Sequence, residues 1–206
     1  MSTILNPVKG NWEDRFSSEE YVYGKEPNEF FRETLSKLTP GRILLPAEGE
    51  GRNAVFAAGL GWQVDALDWS EAAKKKAENL AEEKLVKINY AVEDLSRFEP
   101  EEAAYDAVAL VFVHLEPELR ESFHRKMARA LKPDGKLIFM AYDKTQLGKN
   151  TGGPKNPDLL YSLAEIAEDF IELEFDLFSK DTVTLNEGAL HNGESDVIKY
   201  IGTRTS

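Results

Sequence analysis

The stretch that decides the fold reads Arg42-Ile-Leu-Leu-Pro-Ala-Glu-Gly-Glu-Gly-Arg-Asn-Ala-Val-Phe56. Its first five residues form a short, mostly apolar run that predicts a buried strand, and Arg52–Leu60 has the pattern of a helix. Between them, Gly49 and Gly51 permit a tight turn and let a ligand approach the backbone closely. The stretch therefore predicts a strand, a glycine loop and a helix whose N-terminus offers free N–H groups.

The same alternation continues along the chain. Further strands are predicted over Gln63–Leu67, Val86–Val92, Tyr105–Val113 and Lys136–Tyr142, and further helices over Asn28–Lys37, Glu71–Lys84, Glu116–Leu131 and Ser162–Asp169. The last two strands, Phe170–Ser179 and Asp196–Thr203, have no helix between them, which favours an antiparallel pair at the sheet edge. The pattern predicts a Rossmann-like α/β fold, a doubly wound seven-strand sheet that is mostly parallel with an antiparallel last strand.

Two segments stand apart from this alternation. Residues 1–40 are rich in aromatic and acidic residues, and Pro40-Gly41 then breaks the chain. We expect residues 1–40 to form an N-terminal lid segment packed on a single domain of residues 41–206. The glycine-rich loop Leu147–Pro157 is long for a connection inside a compact domain, and we interpret it as a flap on the substrate side.

Composition excludes several functions. Among 206 residues there are 25 Lys and Arg against 37 Asp and Glu, a net charge of −12, and no Cys. The acidic excess argues against nucleic-acid and membrane binding, and the lack of Cys excludes disulfides and thiolate chemistry. The longest apolar run, Ala107–Val113, is far shorter than the roughly 20 residues of a membrane span. We expect a cytoplasmic protein, a monomer, with no metal site.

Polar residues follow the predicted strands where an open parallel sheet binds ligands. Asp68 follows the second strand, and a ribose diol could donate two hydrogen bonds to its carboxylate. Glu93-Asp94-Leu95 follows the third strand, where a carboxylate could receive an adenine amino group. These features fit any adenosine-containing cofactor, and Gly49-x-Gly51-x-x-Ala54 also satisfies the loose dinucleotide pattern. Alternatively, Asp68 caps the helix that begins after Ser70, and Asp94 is a turn residue.

Taken together, residues 42–56, Asp68 and Glu93-Asp94 resemble the cofactor-binding half of class I S-adenosylmethionine-dependent methyltransferases. Three further segments are similar to the branch of tellurite-resistance and thiopurine methyltransferases: Trp12-x-x-Arg15-Phe16, Tyr23-Gly24-x-x-Pro27-Asn28 and Gly152-Gly153-Pro154. The resemblance covers about residues 11 to 203 and implies S-adenosylmethionine as the cofactor.

The resemblance also implies a role for individual residues. The implied cofactor-binding residues are Trp12, Ala47, Glu48, Gly49, Gly51, Asp68, Trp69, Asp94, Leu95 and Val111. Asp68 would hold the ribose hydroxyls, Trp69 would lie against the adenine, and Val111 would line the floor together with Phe112. The implied lid residues Trp12, Arg15, Tyr21 and Tyr23 would close over cofactor and acceptor.

Three positions depart from the family pattern. Leu45 stands where an acidic residue is usual, Ala47 where a Gly is usual, and Asn192 where the tellurite-methylating branch has Arg. Glu48 lies in the same loop as Ala47 and offers a replacement carboxylate for the amino end of the cofactor.

We expect a small-molecule acceptor, with a soft sulfur, selenium or tellurium nucleophile as one option. The stretch after the fourth strand, Val111–Pro117, lacks the Asp/Asn-Pro-Pro-Tyr motif of base-methylating enzymes. The catalytic candidates are His191, in a polar loop before the last strand, and Tyr23. The substrate-contact candidates are Arg15, Tyr21, His114 and Gly153. His124 falls in the middle of a helix and is interpreted as structural or exposed.

Two other function classes remain open at this point. A non-catalytic protein that binds S-adenosylmethionine or a partner would explain Leu45, Ala47 and Asn192. An NAD(P)-dependent oxidoreductase would share the glycine loop and Asp68, but no Tyr-x-x-x-Lys pair follows the glycine loop.

Overall fold

The computed structural model describes residues 7–205, with side chains from residue 12 onward. Part of the expected lid segment, residues 1–6, and the last residue of the expected domain therefore lie outside the described residues. None of the helices between residues 7 and 205 is long and apolar enough to cross a membrane.

In the described part of the chain, seven strands form one sheet in the order β3-β2-β1-β4-β5-β7-β6. They are β1 (Arg42–Pro46), β2 (Gln63–Asp68), β3 (Asn89–Val92), β4 (Tyr105–Val111), β5 (Leu131–Tyr142), β6 (Leu173–Asn186) and β7 (Asn192–Arg204). The first five strands pair in parallel, and β7 is antiparallel to both β5 and β6. The predicted mostly parallel sheet with an antiparallel last strand is confirmed.

Between residues 7 and 205, six α-helices accompany the sheet: α1 (Pro7–Phe16), α2 (Glu29–Leu35), α3 (Arg52–Gly59), α4 (Glu71–Glu83), α5 (Pro117–Ala130) and α6 (Leu163–Asp169). A side chain directly before the helix caps the N-terminus of three of these helices, because the free N–H groups at a helix start need acceptors. Asn28 accepts from the N–H of Phe31 and begins α2. Ser70 accepts from the N–H of Ala73 and begins α4. Ser162 begins α6 in a reciprocal capping box.

The central strands are buried on both faces, which explains the unbroken apolar runs of the sequence. On β1, Leu44 packs into the cluster on the side of α5 and α6, whereas Ile43 and Leu45 pack into the cluster on the side of α2, α3 and α4. All three side chains are fully buried. Burial of each contributes about 1.5–3 kcal/mol to the free energy of folding. Leu45 is therefore a core residue.

Two predicted strands are too long. β3 begins at Asn89 rather than at Val86, because the end of α4 uses the preceding residues: Leu85 adopts a φ of 57° and the N–H of Val86 donates to the carbonyl of Ala81. Residues 85 and 86 thus form the C-terminal cap of α4 and cannot at the same time be part of an extended strand. β4 ends at Val111 because Phe112 has a φ of 56°.

The last two strands were predicted too short. β6 and β7 form a hairpin whose pairing continues to Asn186 opposite Asn192, so the connecting loop is only residues 187–191. Phe170, the predicted start of β6, instead caps the end of α6. The correction places His191 at the tip of a hairpin beside the carboxyl ends of the parallel strands.

Candidate active site

The loop after β1, residues 47–51, is joined to the end of β2 by one buried hydrogen bond. The N–H of Gly49 donates to Oδ2 of Asp68 over 3.0 Å, and the N–H of Ser70 donates to Oδ1 over 3.1 Å. Asp68 is only 6% exposed, and this burial raises the pKa of its carboxyl above the usual value. The carboxylate thus both orders the glycine loop and lies at the start of α4, at the site expected for a ribose.

The glycine loop packs so closely against α4 that residue 51 has no room for a side chain. Gly51 has a φ of 85°, and a Cβ at this position would lie 2.4 Å from the Cβ of Ala77 on α4. Ala47 has a φ of 52°, a left-handed conformation that costs a residue with a side chain about 1–2 kcal/mol. A glycine, which the family resemblance implies at this position, would adopt this conformation without that cost.

Glu48 caps α3. Its Oε1 accepts from the N–H groups of Asn53 and Ala54, each over 2.8 Å. Burial raises the pKa of Glu48 to about 7, although these two N–H groups and Arg52 oppose the shift. A carboxyl group with this pKa can exchange a proton near neutral pH.

The loop after β3 contains the predicted adenine-side residues. Oδ1 of Asp94 accepts from both the N–H and the hydroxyl of Ser96, so Asp94 does order a turn. Leu95 is buried in the same core cluster against which Trp69 packs. Val111, at the end of β4, packs against the opposite core cluster. These residues share the carboxyl edge of the sheet with the glycine loop.

α1 lies over this edge. Phe16 packs on the glycine loop, since a Cβ at Gly49 would lie 3.2 Å from its ring. Trp12 stacks on Phe16 with ring centroids 5.6 Å apart, and the guanidinium of Arg15 lies 4.3 Å from the centre of the Trp12 ring. α1 therefore brings aromatic residues onto the part of the loop expected to hold the cofactor.

Next to this loop, four rings from distant parts of the sequence meet, and we call them the aromatic cluster: Tyr23, Phe112, Tyr142 and His191. The His191 ring lies 4.5 Å from the Tyr23 ring, 4.5 Å from the Phe112 ring and 5.5 Å from the Tyr142 ring. Arg15 donates to the hydroxyl of Tyr23 over 3.0 Å. The structure thus brings together three predicted residues: His191, Tyr23 and Arg15.

Two polar atoms of the aromatic cluster are buried without a hydrogen-bond partner among the described residues, the hydroxyl of Tyr142 and Nδ1 of His191. Nδ1 lies 3.6 Å from Oε2 of Glu187. Burial lowers the pKa of His191 and raises that of Tyr142, so both groups are uncharged at neutral pH. Burial opposes ionisation of Glu187, but His191 and Arg52 outweigh it and lower its pKa to about 2.

Two glycines of the flap, the loop at residues 147–157, pack directly against the aromatic cluster. A Cβ at Gly152 would lie 2.4 Å from the hydroxyl of Tyr142 and 2.7 Å from the carbonyl of Leu190, and a Cβ at Gly153 would lie 2.9 Å from the Tyr142 ring. Both glycines have positive φ angles. Gly153 therefore touches the cluster by its backbone.

Of the other predicted residues, His114 borders the aromatic cluster, whereas Tyr21 and His124 have partners outside it. His114 is stacked between Tyr142 and Tyr161, its Nδ1 bonds to the carbonyl of Leu159 over 2.6 Å, and burial lowers its pKa to about 4. Tyr21 donates to the carbonyl of Lys76 on α4 and is not part of the aromatic cluster. His124 is fully buried and bonded to Asp169 over 2.7 Å, as expected of a structural histidine.

Sequence reasoning left Tyr142, Glu50, Arg52 and Glu187 unassigned. Tyr142 ends β5, so the rule that located Asp68 at the end of β2 could also have located it. Glu187 lies four residues before His191. Glu50 and Arg52 belong to the quoted stretch, but their partners are in remote segments and carry no local signal.

The comparisons with known proteins agree with this geometry. Residues 43–135 match the family model of the methyltransferase domain. The structure of TehB from Haemophilus influenzae superposes with a TM-score of 0.74 at 18% identity, covering 95% of this chain and 67% of that one. N-methyltransferase NodS from Bradyrhizobium japonicum, in complex with S-adenosyl-L-homocysteine, gives 0.72 at 13% identity, covering 97% and 99%. The chain has the class I methyltransferase fold.

Relatives with this domain are also found by sequence. Thiocyanate methyltransferase 1 of Brassica oleracea is 35% identical over 123 residues, which are 58% of this chain and 53% of that protein. The protein of the same name from Arabidopsis thaliana is 34% identical over 123 residues, 58% of this chain and 52% of its own length. The match thus spans about half the length of these relatives. The sequence matches agree with the expected resemblance to methyltransferases, and the superposition on TehB shows a shared fold.

Proposed function

We propose that the protein is an S-adenosylmethionine-dependent methyltransferase that acts on a small molecule. The observation that carries the proposal is the bond between the N–H of Gly49 and the carboxylate of Asp68. It joins a glycine loop and an acidic strand end at the carboxyl edge of a sheet, inside the segment that matches the methyltransferase domain.

The donor set of this edge fits S-adenosylmethionine. Asp68 would accept from the ribose hydroxyls, and Asp94 with the N–H of Leu95 would bind the adenine edge beside Trp69 and Val111. Residues 47–51 would follow the methionine part, and Trp12 would cover it. Glu48 would face the cationic amino group, a role that its position at the start of α3 supports.

The acceptor would bind at the aromatic cluster. A bound sulfonium supplies an already activated methyl group, so positioning of the acceptor can provide several kcal/mol of the barrier reduction. The chain would supply that positioning through Tyr23 and His191, with Arg15 behind Tyr23 and Gly153 closing the flap. The aromatic rings also exclude water, and the donors that they enclose are uncharged. Such a site favours nucleophiles that need little help from a base.

We further propose that the acceptor is a soft, small nucleophile based on sulfur, selenium or tellurium. The support is twofold: the aromatic cluster offers buried neutral donors beside polarisable rings, and the relatives in Brassica and Arabidopsis are named thiocyanate methyltransferases. Loss of Arg at the position of Asn192 removes one cation that a strongly hydrated oxyanion would need.

The test is a methyl-transfer assay with labelled S-adenosylmethionine and a panel of acceptors: thiocyanate, hydrosulfide, a small thiol, selenite, tellurite and a primary amine. We expect labelled product from at least one sulfur nucleophile, and none from the amine. A protein that binds S-adenosyl-L-homocysteine but labels no acceptor would support a non-catalytic binding role. A protein that binds NAD and no sulfonium would support an oxidoreductase.

A further inference from the structure

The backbone of Tyr23 is held from one side by the residues of the glycine loop. The N–H groups of Val22 and Tyr23 donate to the two carboxylate oxygens of Glu50 over 3.1 and 3.2 Å. Nη1 of Arg52 donates to the carbonyl of Tyr23 over 3.2 Å. Both peptide groups that flank the Tyr23 side chain are therefore bonded to the segment that is expected to hold the cofactor.

Lys76 fixes this arrangement. Its Nζ lies 2.8 Å from Oε1 of Glu50 and donates to the carbonyl of Glu20 over 2.6 Å. Glu50 is 3% and Lys76 9% exposed, so the pair is buried. A buried pair whose partners are also hydrogen-bonded holds one geometry, because breaking it leaves an uncompensated charge.

The hairpin loop at residues 187–191 contacts Val22 and Tyr23 from the side opposite the glycine loop. The N–H of Ala189 donates to the carbonyl of Val22 over 3.1 Å. A Cβ at Gly188 would lie 2.3 Å from that carbonyl oxygen, so the two backbones are in direct contact. Nη2 of Arg52 completes the connection by donating to Oε2 of Glu187 over 2.7 Å.

We infer that Glu50 is a positioning residue that sets the Tyr23 ring against His191 and so couples the acceptor side to the glycine loop. The inference rests on the proposed function, because the loop responds to the cofactor only if it binds one. Cofactor binding that orders residues 47–51 then also orders Val22 and Tyr23 and, through Arg52, the hairpin loop. Since such coupling is reciprocal, an acceptor that orders Tyr23 would also tighten cofactor binding.

The measurement is hydrogen exchange at the backbone amides of residues 20–24 and 187–193, with and without saturating S-adenosyl-L-homocysteine. The wild-type protein should show exchange slowed by about tenfold at both segments when the ligand is bound, within the usual range of allosteric coupling. Calorimetry on the same samples gives the affinity for S-adenosyl-L-homocysteine.

The decisive variant is the double substitution Glu50→Gln with Lys76→Met, which removes both charges together and avoids an unpaired buried ion. At saturating S-adenosyl-L-homocysteine, it should lose the ligand-dependent slowing at residues 20–24 while keeping it at residues 47–70, where the slowing shows that the ligand is bound. Gly188→Ala disturbs the same segment from the hairpin side and should lose the slowing at residues 20–24 without touching the glycine loop.

Lys25→Gln is the matched control, because Lys25 makes an exposed ion pair with Glu83 in the same part of the chain. It should retain the full ligand-dependent slowing. Full slowing at residues 20–24 in the double variant would overturn the role of Glu50, as would wild-type protein that binds the ligand without slowing there. Failure of wild type to bind S-adenosyl-L-homocysteine would instead overturn the proposed function, and this inference with it.

Discussion

The two sides of the candidate site are built in different ways. On the cofactor side, carboxylates such as Asp68 and Glu48 bond to backbone N–H groups that lie close in sequence or on the neighbouring strand. On the acceptor side, Tyr23, Tyr142 and His191 come from remote segments and meet through ring contacts and buried ion pairs. Under the proposed function, cofactor binding would therefore depend on local loop geometry, whereas acceptor positioning would depend on the packing of residues 12–24 against the β6–β7 hairpin.

The largest expected effect separates catalysis from binding. His191→Ala should lower the turnover number by about 10²-fold, the usual cost of a misplaced reactant, because His191 belongs to the aromatic cluster that would position the acceptor. The affinity for S-adenosyl-L-homocysteine should stay within about twofold. Initial rates with the acceptor found in the panel, together with calorimetry, check both values. A loss of affinity that matched the loss of turnover would show that the two sides are not separate.

The opposite pattern is expected of Asp68→Ala. It removes the carboxylate that would accept hydrogen bonds from the two ribose hydroxyls. A hydrogen bond to a charged group contributes about 1.5–3 kcal/mol, so the dissociation constant of S-adenosyl-L-homocysteine should rise about 100-fold or more. Asp65→Asn is the control on the same strand, because Asp65 pairs with Arg42 away from the carboxyl edge. Equal affinities of the Asp68 variant and wild type would contradict a ribose-binding role.

This contrast also explains how much the sequence predicts. The glycine loop, Asp68 and the order of the sheet follow from apolar runs, glycines and strand ends, which are local signals. The aromatic cluster does not follow, because the pairing of Tyr142 with His191 depends on a hairpin whose length the residue pattern does not reveal. Likewise, Leu45 looks like a lost ligand in the sequence but is a buried core residue in the structure.

A pair of glycine substitutions in the flap tests its contact with the aromatic cluster. Gly152 and Gly148 both have positive φ, but only Gly152 lies against Tyr142 and the carbonyl of Leu190. Gly152→Ala should therefore lower the free energy of unfolding by about 1–3 kcal/mol more than Gly148→Ala, since a core that is overpacked must shift. Urea unfolding of both variants measures the difference. Equal values would mean that the flap does not press on Tyr142.

Glu48 gives the cofactor side a pH dependence. Its pKa of about 7 in the folded protein lies above the usual 4.5, so the folded state holds a proton that the unfolded state has lost between these values. Stability from this group is complete below about pH 4.5 and is lost as the pH rises through about 7. The Glu48→Gln variant, whose amide oxygen can still cap α3, should therefore have a higher melting temperature than the wild type at pH 8, but not at pH 5. A melting temperature of Glu48→Gln that exceeded the wild-type value more at pH 5 than at pH 8 would contradict this sign.

The smallest expected effect concerns backbone strain in the glycine loop. Ala47→Gly and Leu85→Gly both relieve a positive φ, at 52° and 57°, and should each raise the free energy of unfolding by no more than about 1 kcal/mol. Only Ala47→Gly lies at the cofactor side, so only this variant should change the affinity for S-adenosyl-L-homocysteine. Thermal unfolding and calorimetry on both variants compare them. An equal change of affinity in both would argue against a specific role of residue 47.

The central claim is that the edge formed by residues 47–51 and Asp68 binds the S-adenosyl group. Calorimetric titration with S-adenosyl-L-homocysteine, with NAD in a parallel titration, tests it most directly. The account predicts a dissociation constant in the range of about 1 μM to 1 mM for S-adenosyl-L-homocysteine, in line with usual substrate levels, and no heat with NAD. Heat with NAD alone, or with neither compound, would contradict it.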